Sequence, residues 1–260
     1  MTEGKGVAIV TGSGSGLGAA IARRLAAEKY AIGLIDLDLK AAQEVARSIG
    51  KEAQAFAADT SKASEFNAAV TAAVAALGPL AVMVNNAGIL DGYFDVDEMD
   101  EALWRRVLDI DLTGTFLGCK RALAEMLPRG RGAIVNMASV AGLNGTGGGA
   151  AYIAAKHGVV GLTRQMAVRY APRGIRVNCV CPGAIPTNLR RNSQQILGPD
   201  VPDMSGRGVA VNEDQVRALV PAGVRGTVED VANAVAFLVS DAAAYIHGHT
   251  LVVDGGWRAK

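Results

Sequence analysis

The sequence predicts a single α/β domain built on a mainly parallel, doubly wound sheet of about seven strands. Three observations predict it. Short apolar runs alternate with segments of helical period along nearly the whole chain, the pattern of βα units whose right-handed crossovers place helices on both faces of a sheet. A glycine-rich turn joins the first strand to the first helix. The length, 260 residues, suffices for one large core, and no linker or low-complexity stretch divides it.

The elements follow in order. Gly6–Val10 is an apolar β run that leads into Thr11-Gly12-Ser13-Gly14-Ser15-Gly16-Leu17-Gly18, after which helical periodicity begins at Ala19. Ala31–Ile35 reads as the second strand and Leu39–Ile49 as an amphipathic helix. Ala53–Ala57 is the third strand, followed by an alanine-rich helix over Ala63–Leu77. Leu80–Val84 is the fourth strand, and one long helical region is expected over Asp100–Leu127. Ala133–Met137 precedes a helix over Ala150–Tyr170, and Ile175–Val180 is the sixth strand. A helix over Glu229–Val239 and a last strand over Thr250–Val253 complete the pattern. The stretch from Asn188 to Gly226, rich in Gly, Pro, Asp and Arg, is expected to be loop, lining a substrate pocket as a mobile lid.

Composition narrows the function classes. Half of the residues are hydrophobic and 20% are charged, which suits a globular protein. A net charge of +1 gives no electrostatic basis for nucleic-acid or membrane partners. No apolar run approaches the roughly 20 residues that span a bilayer. Met1-Thr-Glu-Gly-Lys-Gly6 leads directly into the first strand, so no signal peptide is expected. Cys119, Cys179 and Cys181 lack metal-ligand spacing; the last two are expected as small buried strand residues, and the cytoplasm is the default compartment. His247 and His249 stand in a glycine-containing turn without a third ligand, so no metal is expected.

Strand, glycine turn and helix are the context of a dinucleotide-binding fingerprint. Gly12 permits the tight turn, Gly16 lets backbone approach a pyrophosphate, and Gly18 lets helix and strand pack closely. The helix N-terminus then offers free N–H groups to the phosphates. Asp36 ends the second strand, where a carboxylate accepts hydrogen bonds from both adenosine ribose hydroxyls and repels a 2′-phosphate, favouring NAD over NADP. Asp36 could instead cap the next helix, but Asp38 is better placed for that role.

A proton-transfer site is the second signal. Tyr152 and Lys156 stand four residues apart on one helix face, with Ser139 thirteen residues before the tyrosine. A phenol has an ordinary pKa near ~10, too high for a base at neutral pH, and a neighbouring ammonium draws it down. Ser139, past the end of an apolar strand, can hold the oxygen of a carbonyl or alcohol. Such Tyr/Lys pairs also occur on plain helix surfaces; the fingerprint at the other end of the chain favours the chemical reading.

The chain resembles the short-chain dehydrogenase/reductase family, in its single-domain branch, over nearly its whole length from Val7 to Gly256. The residues that carry the resemblance are Thr11-Gly12-x-x-x-Gly16-x-Gly18, Asp59, Asn85-Asn86-Ala87-Gly88, Ser139, Tyr152-x-x-x-Lys156, Pro182-Gly183 and Val252-Val253-Asp254-Gly255-Gly256. The resemblance implies a Rossmann-type fold, an NAD(P) cofactor and a small secondary alcohol or ketone as substrate. It implies that Asp59 and Thr60 lie against the adenine and Asn86, Ala87 and Gly88 along the adenosine side. Pro182, Gly183, Ile185 and Thr187 would meet the nicotinamide end. Ser15 and Leu37 stand where NADP-using relatives carry basic residues, which again favours NAD. Lys156 would also hold the nicotinamide ribose.

Asp111 departs from the family pattern, which has asparagine at that place with its backbone carbonyl in a proton relay. Asp111 is therefore either a near-isosteric stand-in or an added carboxylate that alters the pKa balance of the site. The resemblance also implies a homotetramer, with one interface from the helices over Asp100–Leu127 and Ala150–Tyr170. Two other activities remain open: a 3-oxoacyl-(acyl carrier protein) reductase, or a catalytically silent nucleotide-binding regulator, against which the retained Tyr152 and Lys156 argue.

Overall fold

The computed structural model describes residues 5–210 and 212–260; Met1–Gly4 and Val211, the latter within the expected lid, lie outside the described residues. Seven parallel strands form one sheet in the order β3-β2-β1-β4-β5-β6-β7. They are β1 (Val7–Thr11), β2 (Ala31–Asp36), β3 (Ala53–Ala57), β4 (Leu80–Asn85), β5 (Gly132–Met137), β6 (Ile175–Pro182) and β7 (Thr250–Val253). The first, fifth and sixth strands are almost wholly buried, as strands covered on both faces must be, and this is why apolar residues dominate them.

The helices cover both faces. On one, α1 (Gly16–Ala27), α2 (Leu39–Ile49) and α9 (Val228–Val239) bury Ile21, Leu25, Val45, Val231 and Val235 against the sheet. On the other, α3 (Ala63–Leu77), α5 (Gly114–Met126) and α6 (Ala150–Tyr170) bury Phe66, Val70, Met126 and Met166. Asp38 caps α2 by accepting the Ala41 N–H at 3.0 Å, and a reciprocal Thr227–Asp230 capping box opens α9.

Two expectations need correction. The region Asp100–Leu127 is not one helix: α4 (Glu101–Leu108) passes through a π-helical turn at Asp109–Thr113 before α5, and Leu127–Arg129 tightens to 3₁₀. No Gly or Pro marks Asp109–Thr113, so composition could not announce the wider turn. The stretch Asn188–Gly226 is not simply loop. It holds α7 (Leu189–Leu197) and α8 (Glu213–Leu219), the second capped by Asn212, which accepts the Gln215 N–H at 2.9 Å.

The chain winds outward from β1 to β3, then returns to place β4 beside β1 on the other side. That reversal opens a crevice at the carboxyl ends of β1 and β4, where this architecture binds ligands. The three cysteines are free and buried, Cys119 on α5 and the other two on β6.

Candidate active site

At that crevice the turn after β1 is held by side chains from the end of β1, the end of β2 and the loop after β4. The Thr11 hydroxyl accepts the N–H groups of Asn86 and Ala87 at 2.9 and 3.0 Å. The Asn86 amide donates to the carbonyls of Thr11 and Gly12 at 2.9 and 3.1 Å. A Cβ on Gly18 would lie 2.1 Å from the Gly12 carbonyl oxygen, and one on Gly12 (φ +63) would lie 2.9 Å from Ala87 Cα. Only glycine fits either place. From the end of β2, Asp36 accepts the N–H groups of Gly14 and Asp38 at 2.7 and 2.9 Å. Burial pushes its carboxyl above the ordinary range, and the two N–H donors oppose that.

Two cavities open from this floor. The first is lined by Gly12, Ser15, Gly16, Leu17, Asp36, Asp59, Thr60, Asn86, Ala87, Gly88, Tyr152, Lys156 and Thr187. The second is lined by Ser139, Tyr152, Gly183, Ile185 and Thr187, with Leu90, Tyr93, Val140, Leu189 and Trp257. Tyr152, Thr187 and Leu189 border both. Gly18 and Pro182 border neither: Gly18 packs the helix onto the turn, and Pro182 is a buried end of β6 paired with Val253. The Asp59 carboxylate turns back on its own loop, accepting from the Ser61 N–H and hydroxyl, with Arg106 at 3.6 Å.

Beneath Tyr152 lies a buried ion pair. Lys156 Nζ is 3.0 Å from Asp111 Oδ2, with side-chain exposures of 4% and 0%. Asp111 projects from the π-helical turn, and its Oδ1 accepts the Ile89 N–H at 2.8 Å. Lys156 also donates to the Met137 carbonyl at 3.3 Å. A Cβ on Gly88 would lie 3.0 and 3.1 Å from the two charged atoms, so the absence of a side chain there leaves room for the pair. Burial alone would lower the Lys156 pKa, but the Asp111 carboxylate raises it above the ordinary value. Burial pushes the Asp111 carboxyl up, with Lys156 pulling against it.

Tyr152 corrects a further expectation. Burial raises the phenol pKa; Lys156 draws it down, as expected, but Asp111 adds to the rise, and the net direction is upward. A carboxylate behind the lysine offsets part of the lysine's effect. Ser139 lies at the mouth of the same cavity, where its hydroxyl accepts the Ala141 N–H at 3.1 Å and acts to lower the phenol pKa.

Sequence reasoning missed Asp91. Fully buried, its Oδ1 accepts the N–H groups of Tyr93 and Gly149 at 3.1 and 2.9 Å, and its Oδ2 accepts the Tyr152 N–H at 2.9 Å. It thereby caps α6 from a distant loop, where a negative charge suits the helix N-terminus. In sequence it looks like a turn residue beside Gly92. The glycines before Tyr152 serve a second purpose as well: a Cβ on Gly148 would lie 2.3 Å from the Tyr152 ring, and one on Gly149 2.7 Å from the Asp91 carboxylate.

A glycine cradle at a helix N-terminus, a carboxylate at the end of the second strand and an acid/base cluster at the junction of two cavities define a nucleotide-dependent oxidoreductase. Comparison with known proteins places it further. A family model described as enoyl-(acyl carrier protein) reductase matches residues 12–258. The chain is 45% identical to 2-(S)-hydroxypropyl-CoM dehydrogenase 3 of Xanthobacter autotrophicus, over 97% of this chain and 96% of that protein. The crystal structure of levodione reductase superposes with a TM-score of 0.89 at 37% identity, covering 98% of both chains. A 3-ketoacyl-(acyl-carrier-protein) reductase from Brucella melitensis, solved with NADH, gives 0.87 at 31% identity, again over 98% of both. The chain belongs to the short-chain dehydrogenase/reductase family. It is an oxidoreductase of alcohols and ketones that works with a nicotinamide cofactor.

Proposed function

We propose that the protein is an NAD-dependent dehydrogenase that interconverts a secondary alcohol and a ketone, with Tyr152 as the general acid/base. The observation that carries the reading is the position of Tyr152, which borders both the glycine-floored cavity and the one beside it. A cofactor in the first cavity and a substrate in the second would meet at that phenol.

The residues fit such a cofactor, because Gly12 and Gly16 leave the floor free of side chains where a pyrophosphate would lie, and Gly18 seats the helix N-terminus against it. Asp36 would accept from the ribose hydroxyls and disfavour a 2′-phosphate, while exposed Leu37 offers that phosphate no charge. Asn86, Ala87 and Gly88 would line the adenosine side, and Ile185 and Thr187 the nicotinamide end. Bound NAD supplies hydride acceptance and donation. Ser139 orients the substrate oxygen, and Tyr152 takes its proton in oxidation and returns it in reduction. Lys156, kept protonated by Asp111, favours the tyrosinate and holds the nicotinamide ribose.

The stretch Asn188–Gly226 closes over the substrate cavity through Leu189, Val209 and Ala210, in keeping with a lid. We read the enzyme as cytoplasmic on its three unpaired thiols, and as a homotetramer on the exposed Phe116 of α5 and Val168 of α6. Among the described residues, no helix is long and apolar enough to cross a membrane.

The deciding experiment is NAD reduction, followed by NADH absorbance, across a panel of linear and cyclic secondary alcohols. Turnover of at least one is expected. Saturable NAD binding with no turnover of any alcohol, or of any ketone in reverse, would replace the enzyme with a silent nucleotide-binding protein.

A further inference from the structure

The cavity beside Tyr152 is apolar along Leu90, Val140, Leu189 and Trp257, yet two guanidinium groups border it, those of Arg190 and Arg225. Arg225 is compensated, since it pairs with Glu213 and donates to the Ala210 carbonyl at 2.9 Å. Arg190 is not. Among the described residues no carboxylate lies within 4.0 Å of it and its Nε is buried without a hydrogen-bond partner; its polar contacts are the Val209 carbonyl, 3.5 Å from Nη2, and the Tyr93 phenol. Burial raises the pKa of the adjoining Tyr93 phenol while Arg190 pulls it down, and the net direction is upward, so the phenol offers the guanidinium an oxygen but no counter-charge. An unmet buried donor such as this Nε is costly without an acceptor.

The platform under Arg190 is itself built with care. The guanidinium stands 5.9 Å from the centroid of the Tyr93 ring. Tyr93 adopts φ +61, a left-handed conformation unusual for a bulky residue, with its N–H held by Asp91. Gly208 packs against the ring, and a Cβ there would lie 2.3 Å from Tyr93 Cε1. Arg190 borders the substrate cavity and not the glycine-floored one, although its neighbour Leu189 borders both.

We infer that Arg190 recognises an anionic group, a carboxylate or sulfonate, carried on the alcohol or ketone apart from the reacting carbon. The substrate class is thus an organic anion with an apolar body: its body packs on Leu90, Val140 and Trp257, and its charge meets the planar fork of Arg190 in a bidentate contact. The inference rests on the reading of Tyr152 as the acid/base at the junction of the cavities.

The test uses matched ketones with NADH: 4-oxopentanoate, 5-oxohexanoate and 6-oxoheptanoate against the corresponding 2-alkanones, with 5-oxohexane-1-sulfonate as the second anion. At one or more chain lengths, kcat/KM for an anion should exceed that of its neutral partner by about tenfold or more. Arg190→Gln should bring that ratio to within about threefold of unity, and Arg190→Lys should retain part of it. Turnover of the neutral ketones with no anion preferred at any length overturns the inference and leaves the alcohol/ketone reading intact. Equal losses for both classes in Arg190→Gln also overturn it. If no ketone turns over, the activity reading fails, and thermal melting with NAD decides the anion separately. Stabilisation by 5-oxohexanoate that Arg190→Gln abolishes would support the site, and its absence in the parent protein would reject it.

Discussion

The carboxylate of Asp91 holds the backbone N–H of Tyr152 at 2.9 Å across 61 residues of sequence. The same group holds Gly149 and Tyr93, so one buried side chain fixes the start of α6, the phenol's own backbone and the loop beneath Arg190. An asparagine would present a single acceptor oxygen and turn N–H donors toward N–H donors. Asp91→Asn is therefore expected to cost about 1–3 kcal/mol of stability and to lower kcat by roughly tenfold. Calorimetric melting and steady-state kinetics of the variant check both, and parent-like values for the two would reduce Asp91 to a passive loop residue.

Asp36 should set cofactor choice. NAD is expected to exceed NADP by about tenfold or more in kcat/KM, and Asp36→Ala should narrow that gap by removing an acceptor and a repulsive charge together. The loss should also free the Gly14 and Asp38 N–H groups, so a small fall in melting temperature is expected beside the kinetic change. Parity between the cofactors in the parent protein would sink this role.

Replacing Tyr152 with phenylalanine keeps the buried ring and deletes the proton carrier. The Tyr152→Phe variant should fold and bind NADH while turnover falls by roughly 10²-fold or more. Ser139→Ala should lower turnover with NADH affinity retained. Normal turnover in Tyr152→Phe on a good substrate would mean that the acid/base lies elsewhere.

Asp111 should leave its mark in the pH profile. Alcohol oxidation needs Tyr152 deprotonated, so kcat rises as pH climbs through its pKa. The Asp111 charge contributes upward to that pKa, and Asp111→Asn should move the rise to lower pH. The substitution also strips Lys156 of its buried partner, a loss of about 3–5 kcal/mol if the ammonium stays charged. Profiles of the two proteins that superimpose within ~0.2 pH units would restrict Asp111 to a backbone role.

Much of this molecule was legible before its structure, for particular physical reasons. Strands such as Leu80–Val84 announced themselves because a parallel sheet is covered on both faces, leaving an uninterrupted apolar run. The glycine turn was legible because Gly12 and Gly18 have no room for any other side chain. Helix α7 was not legible, since its inward positions Leu189, Ser193 and Leu197 are too few and too polar to stand out among Arg, Asn and Gln. The net direction of the Tyr152 pKa escaped because it depends on how deeply three groups are buried together, which spacing does not encode. Asp91 and Arg190 escaped because each acts on partners distant in sequence: three backbone N–H groups for one, and the wall of a cavity for the other.

The burial of every cysteine gives the native state a chemical clock. Cys119 lies wholly inside, its thiol pushed up to about 12, between Asn85 and Asn136, while Cys179 and Cys181 are sealed within β6. A thiol reagent can modify them only after the layers part, so the rate of labelling measures opening of the fold rather than reactivity of a surface group. Because Cys119 reports on α5 and the β6 pair on the strand beside the β7 edge, the order in which they react would show whether a ligand locks one region or the whole molecule.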